Sequence, residues 1–371
     1  MRTSCLTTSA VKPKRFAYSS CMPLLYAVAL LFAGTPMLGA VQSAFGQVGV
    51  GLAHAKDEQV MILKGKTMGT FWQVSLAHSL EQSALDIAQA EIEKRLAAVN
   101  QSMSTYIPDS EISTFNQSAS LDSQTISAEL AYVVQKGLEI SQQTDGLYDI
   151  TVMPLVNLWG FGPKKTERKP TEEEIQQTLS YVGYQNLHLN QQQLRKDHPQ
   201  TAIDLSSIAK GYGVDAVVET LSALGYRDFL VDIGGETRAS GQKYGKDWRI
   251  GIETPIEGSH QSASVIVPLS EGRAIATSGN YRNFIDYDGV RAVHTLNPRT
   301  GQPKASSLLS ASVIANDCMT ADGYATAMMA MGDDALAFAE KHQLAVVLIY
   351  AAEGKSFEVK QSSAMKQLLG E

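Results

Sequence analysis

From Phe229 to Leu296 the chain places one apolar, strand-like segment after another, with no helical period between them. Strands that follow one another so closely suggest mainly antiparallel pairing, because a parallel connection needs a crossover of about a dozen residues. The segments are Phe229–Ile233, Trp248–Ile252, Val265–Leu269, Ala274–Thr277 and a hairpin over 283–296 turning at Asp288-Gly289. Strand alternation also runs from Thr70 to Leu76, and a C-terminal hairpin turns at Glu353-Gly354. Helical periodicity fills much of the rest. It runs through Leu80, Ile87, Ile92, Leu96 and Val99, and again from Ser127 to Gln143, stopping at Asp145-Gly146. Thr171 with Glu174 forms a capping box. A short strand, Ala202 to Leu205, runs into a helix that ends at Gly225, and further helices open near Asp317 and over 333–342. The polar stretch holding Ser104 to Asp109 reads as a loop, and Asn157 to Pro163 as a packed loop. The expected class is α+β, mainly antiparallel with flanking helices.

Residues 1–55 stand apart. They hold Arg2, Lys12, Lys14 and Arg15, no acidic residue, and an apolar run from Pro23 to about Val41, the pattern of an export signal. Gly34, Pro36 and Gly39 interrupt that run, which speaks against a lasting transmembrane helix, although an uncleaved anchor is an open alternative. The expected division is therefore a leader over 1–55 and a folded domain over 56–371. Removing the four leader cations from the 31 Lys and Arg leaves 27 against 38 acidic residues, a net charge of −11. An acidic domain lacks the basic surface that nucleic-acid binding uses to displace counterions. Cys5 and Cys21 lie in the leader, so Cys318 alone remains and an internal disulfide is excluded.

The stretch Asp317-Cys318-Met319-Thr320-Ala321-Asp322-Gly323-Tyr324-Ala325-Thr326 opens a helix and sets Asp322 and Thr326 on one face. A carboxylate and a hydroxyl so placed can both reach a hard cation such as Mg2+. A helix start also offers unbonded backbone N–H groups and a positive dipole end, which suit phosphate. The bland alternative is a capping aspartate. Elsewhere, Met68-Gly69-Thr70 is a turn before a strand. Gly146-Leu147-Tyr148-Asp149 could frame a planar ligand or end a buried strand. Asp204 to Gly211 is a strand-to-helix turn in which Lys210 faces either phosphate or solvent. His294 to Gly301 closes the hairpin with a Pro-Gly turn, where a histidine is ordinarily structural.

Together these segments form a recognisable series. Met68-Gly69-Thr70, Ser104-Thr105-Tyr106, Tyr148-Asp149, Asp204 through Tyr212, Ala276-Thr277-Ser278-Gly279, His294 through Gly301 and Thr320-Ala321-Asp322-Gly323 occur in the order seen in the ApbE family. That family comprises bacterial FAD:protein FMN transferases, and the resemblance runs from about residue 62 to 350. It implies a two-lobed α+β body and an exported, periplasmic, Mg2+-dependent enzyme. Such an enzyme cuts FAD at its pyrophosphate, joins FMN to a Thr or Ser hydroxyl of a partner flavoprotein and releases AMP. The partner would be a subunit of a membrane redox complex or another exported flavoprotein, and any association with the inner membrane would be peripheral. Carried over by position, Met68, Tyr106, Leu147, Tyr148, Asp149, Asp204, Lys210 and Leu296 would surround FAD. Ser207, Asp322, Ala325 and Thr326 would hold Mg2+. His294 is the candidate base, since an ordinary imidazole pKa of about 6.5 suits proton transfer near neutrality. The chain departs from the family in two places. The lipid-bearing cysteine of many relatives is missing, and Asn297 replaces the usual Asp of the His-containing turn. FAD pyrophosphatase activity and simple flavin binding are the competing readings.

Overall fold

The first two described strands turn on Met68-Gly69, both at positive φ (48° and 73°), as a two-residue hairpin loop requires. The expected turn before one strand therefore joins two, β1 (Met61–Thr67) and β2 (Thr70–Leu76). The computed structural model describes residues 59–371 except 167, 254–262, 270, 281–283, 288–289, 304–305 and 353–355. The expected leader and the turn pairs Asp288-Gly289 and Glu353-Gly354 lie outside these residues. Among the described residues no helix is long and apolar enough to cross a membrane.

Helix α1 (Gln82–Met103) turns Leu85, Ala88, Ile92, Leu96 and Val99 inward at helical spacing. Helix α2 (Glu111–Gln117), capped by Ser110, stands directly after the expected polar loop; seven residues are too few to show a clear period. Strand β3 (Gln124–Thr125) precedes α3 (Ala128–Gln143), which stops where Asp145 and Gly146 both take positive φ. Helices α4 (Met153–Leu158) and α5 (Glu172–Leu179) follow, and α5 carries the expected Thr171/Glu174 capping box. Strands β4 (Leu187–Asn190) and β5 (Gln193–Lys196) complete a small sheet in the order β3-β5-β4. The strand expected over Ala202–Leu205 is only a single bridge from Ala202 to Val152. Beyond Leu205 the chain turns at once into α6 (Ala209–Ala223).

The remaining elements are β6 (Phe229–Ile233), β7 (Glu236–Ser240), β8 (Trp248–Glu253), β9 (Ala263–Leu269), β10 (Ala274–Gly279), β11 (Phe284–Tyr287) and β12 (Val290–Val293). They are followed by β13 (Leu308–Ala315), α7 (Cys318–Met331), α8 (Ala335–Lys341), β14 (Ala345–Ala351), β15 (Phe357–Gln361) and α9 (Ser363–Leu369). Eight strands form one sheet, β1-β2-β6-β7-β10-β13-β14-β15, with every neighbouring pair antiparallel. Both faces are buried at the sheet's middle strands. Val346 and Leu348 of β14 face the core shared with α7, whereas Val347 and Ile349 pack with Trp248, Val267 and Met365 on the other side. The α+β antiparallel class is thus the fold, with α6 and α7 laid over the middle of the sheet.

Candidate active site

The site begins where α6 and α7 touch. Gly211 lets them approach so closely that an added Cβ would stand 2.3 Å from the Cys318 carbonyl oxygen. Its N–H donates to Asp322 Oδ2 at 3.0 Å. Asp322 is 2% exposed, and its Oδ1 lies 3.7 Å from Lys210 Nζ, beyond hydrogen-bonding distance. Lys210 instead pairs with Glu236 Oε1 at 2.7 Å. Glu236 opens β7 directly after the positive-φ glycines Gly234 and Gly235, and its buried Oε2 finds no hydrogen-bond donor among the described residues. One ammonium therefore faces two buried carboxylates. Burial raises the Asp322 and Glu236 carboxyls, and Lys210 only partly offsets it. Burial works against the charged form of Lys210 too, but Asp322 and Glu236 outweigh it and hold the ammonium above its ordinary range.

Asp322 is not a helix cap. Asp317 fills that role, accepting from Thr320 N at 2.7 Å. The amides of Cys318 and Met319 donate to Asp215 of α6, each at 2.9 Å. The expectation of unbonded N–H groups for phosphate at this helix start is therefore corrected: side chains already occupy them. Thr326 lies one turn beyond Asp322, its Oγ1 3.2 Å from Ser278 Oγ at the end of β10, and Ala325 is fully buried beside it. Two residues past Ser278, Asn280 Oδ1 accepts from Thr295 Oγ1 at 2.7 Å. That contact ties the turn that begins at the half-buried His294 to the end of β10.

The other expected residues surround this centre to different degrees. Ser207 Oγ donates to the Tyr148 hydroxyl at 3.0 Å. Burial raises the Tyr148 phenol far above its usual range, and the charges of Asp322, Asp204 and Asp149 add to the effect. Asp204 Oδ1 accepts from Ser206 N at 2.9 Å, and burial raises this carboxyl as well. Tyr106 is 62% exposed and donates to the Phe161 carbonyl at 3.3 Å; burial, then the Asp204 charge, raises its phenol. Met68 packs on Gly213 of α6, where its Cε would stand 2.8 Å from an added Cβ. Leu147 lies against the main core. Leu296 is buried apart, with Leu155, Trp159 and Ile175. Asp149 is a structural staple: Oδ1 accepts from Thr151 N and Oγ1 at 2.8 and 2.6 Å, and Oδ2 from Tyr184 N at 2.7 Å. Arg299 Nε donates to the Asp145 carbonyl at 3.1 Å, tying the His294 turn to the segment before Tyr148. Asn297 Oδ1 accepts from Arg299 N at 2.9 Å, so the amide keeps the turn that Asp would make.

Sequence reasoning missed Glu236 and Asp215. The available signal was a carboxylate directly after Gly234-Gly235 and another on α6 five residues past Lys210. Among the described residues no group of three or more His, Cys, Asp or Glu side chains could hold a metal ion. A cation here would rest on one carboxylate plus hydroxyl and carbonyl oxygens. That donor set suits a hard ion which keeps part of its water shell, as Mg2+ does. Asp322 Oδ1, which stands 3.7 Å from Lys210 Nζ on a carboxylate that is 2% exposed, fits such a ligand.

A family model described as the ApbE family matches residues 68–348. The chain belongs to the ApbE family. It is 41% identical over 325 residues to a Haemophilus influenzae protein named FAD:protein FMN transferase, covering 85% of this chain and 93% of that one. A Vibrio cholerae protein of the same name is 39% identical, covering 85% and 94%. The fold also matches the flavin transferase ApbE from Vibrio cholerae with a TM-score of 0.76 at 38% identity, over 83% of this chain and 99% of that one. A Pseudomonas stutzeri flavinyl transferase ApbE gives 0.76 at 36%, over 84% and 98%. This ApbE-family chain is therefore a transferase by kinship, and its paired carboxylates and lysine lie on the elements that the family model spans.

Proposed function

We propose that this protein transfers the FMN half of FAD to a Thr or Ser hydroxyl of an acceptor flavoprotein, with Mg2+ bound, and releases AMP. The observation that carries the reading is the buried Asp322 carboxylate, with Oδ1 open toward Lys210 and Thr326 one turn on. The name borne by relatives at 39–41% identity supports it. In this reading Asp322, Thr326, Ala325 and the Ser207 backbone hold the cation. Tyr106, Tyr148, Met68, Leu147, Asp204 and Leu296 line the flavin and adenosine ends, and Asp149 shapes the loop that carries Tyr148.

The acceptor hydroxyl oxygen attacks the FMN phosphorus, the bridging P–O bond breaks, and the electron pair leaves with AMP. His294 takes the hydroxyl proton. Lys210, anchored by Glu236, neutralises a phosphate oxygen as charge develops. When bound, Mg2+ supplies charge screening between phosphate and nucleophile and stabilises the leaving group. The acceptor is a subunit of a membrane redox complex or another exported flavoprotein, met on the periplasmic side, with peripheral membrane association at most.

The test mixes the protein with FAD, Mg2+ and an acceptor domain carrying a target threonine, then reads flavin fluorescence in a denaturing gel. A Mg2+-dependent band, lost when that threonine becomes alanine, is expected together with AMP. AMP and free FMN without a band would replace the proposal with pyrophosphatase activity. FAD binding without either product would leave a binding protein.

A further inference from the structure

Asp215 lies outside the residues placed around the substrate, yet both oxygens of its buried carboxylate are engaged. Oδ1 accepts from Cys318 N at 2.9 Å and from Arg238 Nη1 at 2.7 Å, and Oδ2 accepts from Met319 N at 2.9 Å. Arg238 in turn donates from Nε to the Gly272 carbonyl at 3.0 Å. A helix ordinarily satisfies its first amides with its own N-cap or with water. Here the local cap, Asp317, serves Thr320, while the first two amides of α7 end on a neighbouring helix. A cap supplied from another helix also fixes the separation of the two helices.

A second tie repeats the pattern. Gly211 and Asp215 stand one turn apart on α6, and their partners Asp322 and Cys318 stand about one turn apart on α7. The helices therefore run antiparallel and are pinned at successive turns. Next to the Gly211–Asp322 pin stands the pair on which the proposed chemistry depends, Asp322 against Lys210.

We propose that Asp215 is a positioning residue for the transfer reaction: by capping α7 from α6 it sets the placement of Asp322 and Thr326 relative to Lys210. The proposal deepens the transferase reading and rests on it. Asp215 does not touch the substrate, because its oxygens are buried and already bonded.

The experiment compares Asp215→Asn with Arg238→Met in the whole protein. An asparagine keeps one acceptor oxygen but turns an NH2 toward a backbone donor, so at least one cap is lost. Arg238→Met removes the ion-pair partner while leaving both caps in place. Three quantities are read: hydrogen exchange at Cys318 and Met319 without metal, the Mg2+ midpoint from thermal shift, and kcat against KM. For Asp215→Asn, exchange at the two amides is expected to rise about tenfold and the Mg2+ midpoint about tenfold, as loss of a charge-assisted cap implies. A fall in kcat with little change in the KM for FAD should accompany them. Arg238→Met should lower the melting temperature and change neither exchange at these amides nor the Mg2+ midpoint.

Wild-type exchange and an unchanged Mg2+ midpoint in Asp215→Asn would overturn the proposal, as would Arg238→Met reproducing both changes. If the half-buried Arg238 cation, left without its partner, unfolds the single variant, the double variant Asp215→Asn/Arg238→Met replaces it and the same comparison decides. A wild-type protein that shows neither a Mg2+ shift nor transfer would instead refute the transferase reading. The exchange comparison would then decide the cap alone.

Discussion

Gly211→Ala tests most directly whether the approach of α6 to α7 sets the chemistry. The added methyl would stand 2.3 Å from the Cys318 carbonyl oxygen and 2.8 Å from Asp322 Cβ. Ordinary contact begins near 3.4 Å, so the helices must part by about 1 Å, and the obstacle is backbone rather than the end of a flexible side chain. Alanine gains at most about 1 kcal/mol of helix propensity. Overpacking costs about 1–3 kcal/mol. The net loss of about 0–2 kcal/mol lies well within the stability of an ordinary domain, so the variant should fold with a melting temperature lowered by a few degrees. The effect on rate should be larger. A displacement of about 1 Å between positioned groups costs on the order of a hundredfold. Gly323→Ala is the control, since its methyl would crowd the Ile140 Cδ1 tip at 2.5 Å, which can turn aside, and meet Ile208 Cδ1 at an ordinary 3.5 Å. Transfer followed by fluorescence on the acceptor should fall about a hundredfold in Gly211→Ala and only a few-fold in Gly323→Ala. A Gly211→Ala protein with the wild-type rate and melting curve would refute the argument.

Asp322→Ala should abolish transfer, read as acceptor fluorescence, while circular dichroism stays native, because the carboxylate is not part of the apolar packing; full activity with Mg2+ supplied would remove it from the metal site. His294→Ala should slow transfer by about 10²–10⁴-fold, the usual worth of a proton-transfer group, with FAD binding by fluorescence titration nearly unchanged; equal losses would make it a flavin-positioning residue. Burial, with the Asp322 charge adding to it, pushes the Glu236 carboxyl from an ordinary 4.5 up to about 8 in the folded protein. The folded state therefore holds a proton that the unfolded state has released, and this contribution to stability declines as pH rises from about 4.5 to about 8. Lys210, held above its ordinary range, contributes no slope there. The metal-free protein should melt lower at pH 8 than at pH 5, and Glu236→Gln should flatten that dependence; an unchanged slope in the variant would assign it to another group.

Where local signals were strong, the sequence foretold the fold closely. Strand β6 occupies Phe229–Ile233 as read from its apolar run, α3 begins after Ser127, and Thr171 with Glu174 makes the capping box. Strand β13 escaped notice because it is buried on both faces, and its Ser310 and Ser312 break the apolar run that would have marked it. Ala202–Leu205 read as a strand because burial alone makes it apolar, yet it bonds through a single bridge. In the candidate site, Asp322 and Thr326 were legible because one helix turn relates them. Glu236 and Asp215 were not, since their partners lie 26 and about 100 residues away in the chain and no local period records such a contact. The occupied amides of α7 were hidden for the same reason.

The bond from Gly211 to Asp322 joins residues 111 positions apart. The ribosome makes α6 well before α7, so a nascent chain that has not yet reached Asp322 has Lys210 and Glu236 in hand but lacks the carboxylate proposed to hold the cation. On the proposed role of Asp322, half-made protein should therefore be chemically silent, and so should any chain kept unfolded after synthesis. Competence arrives late, when α7 settles against α6.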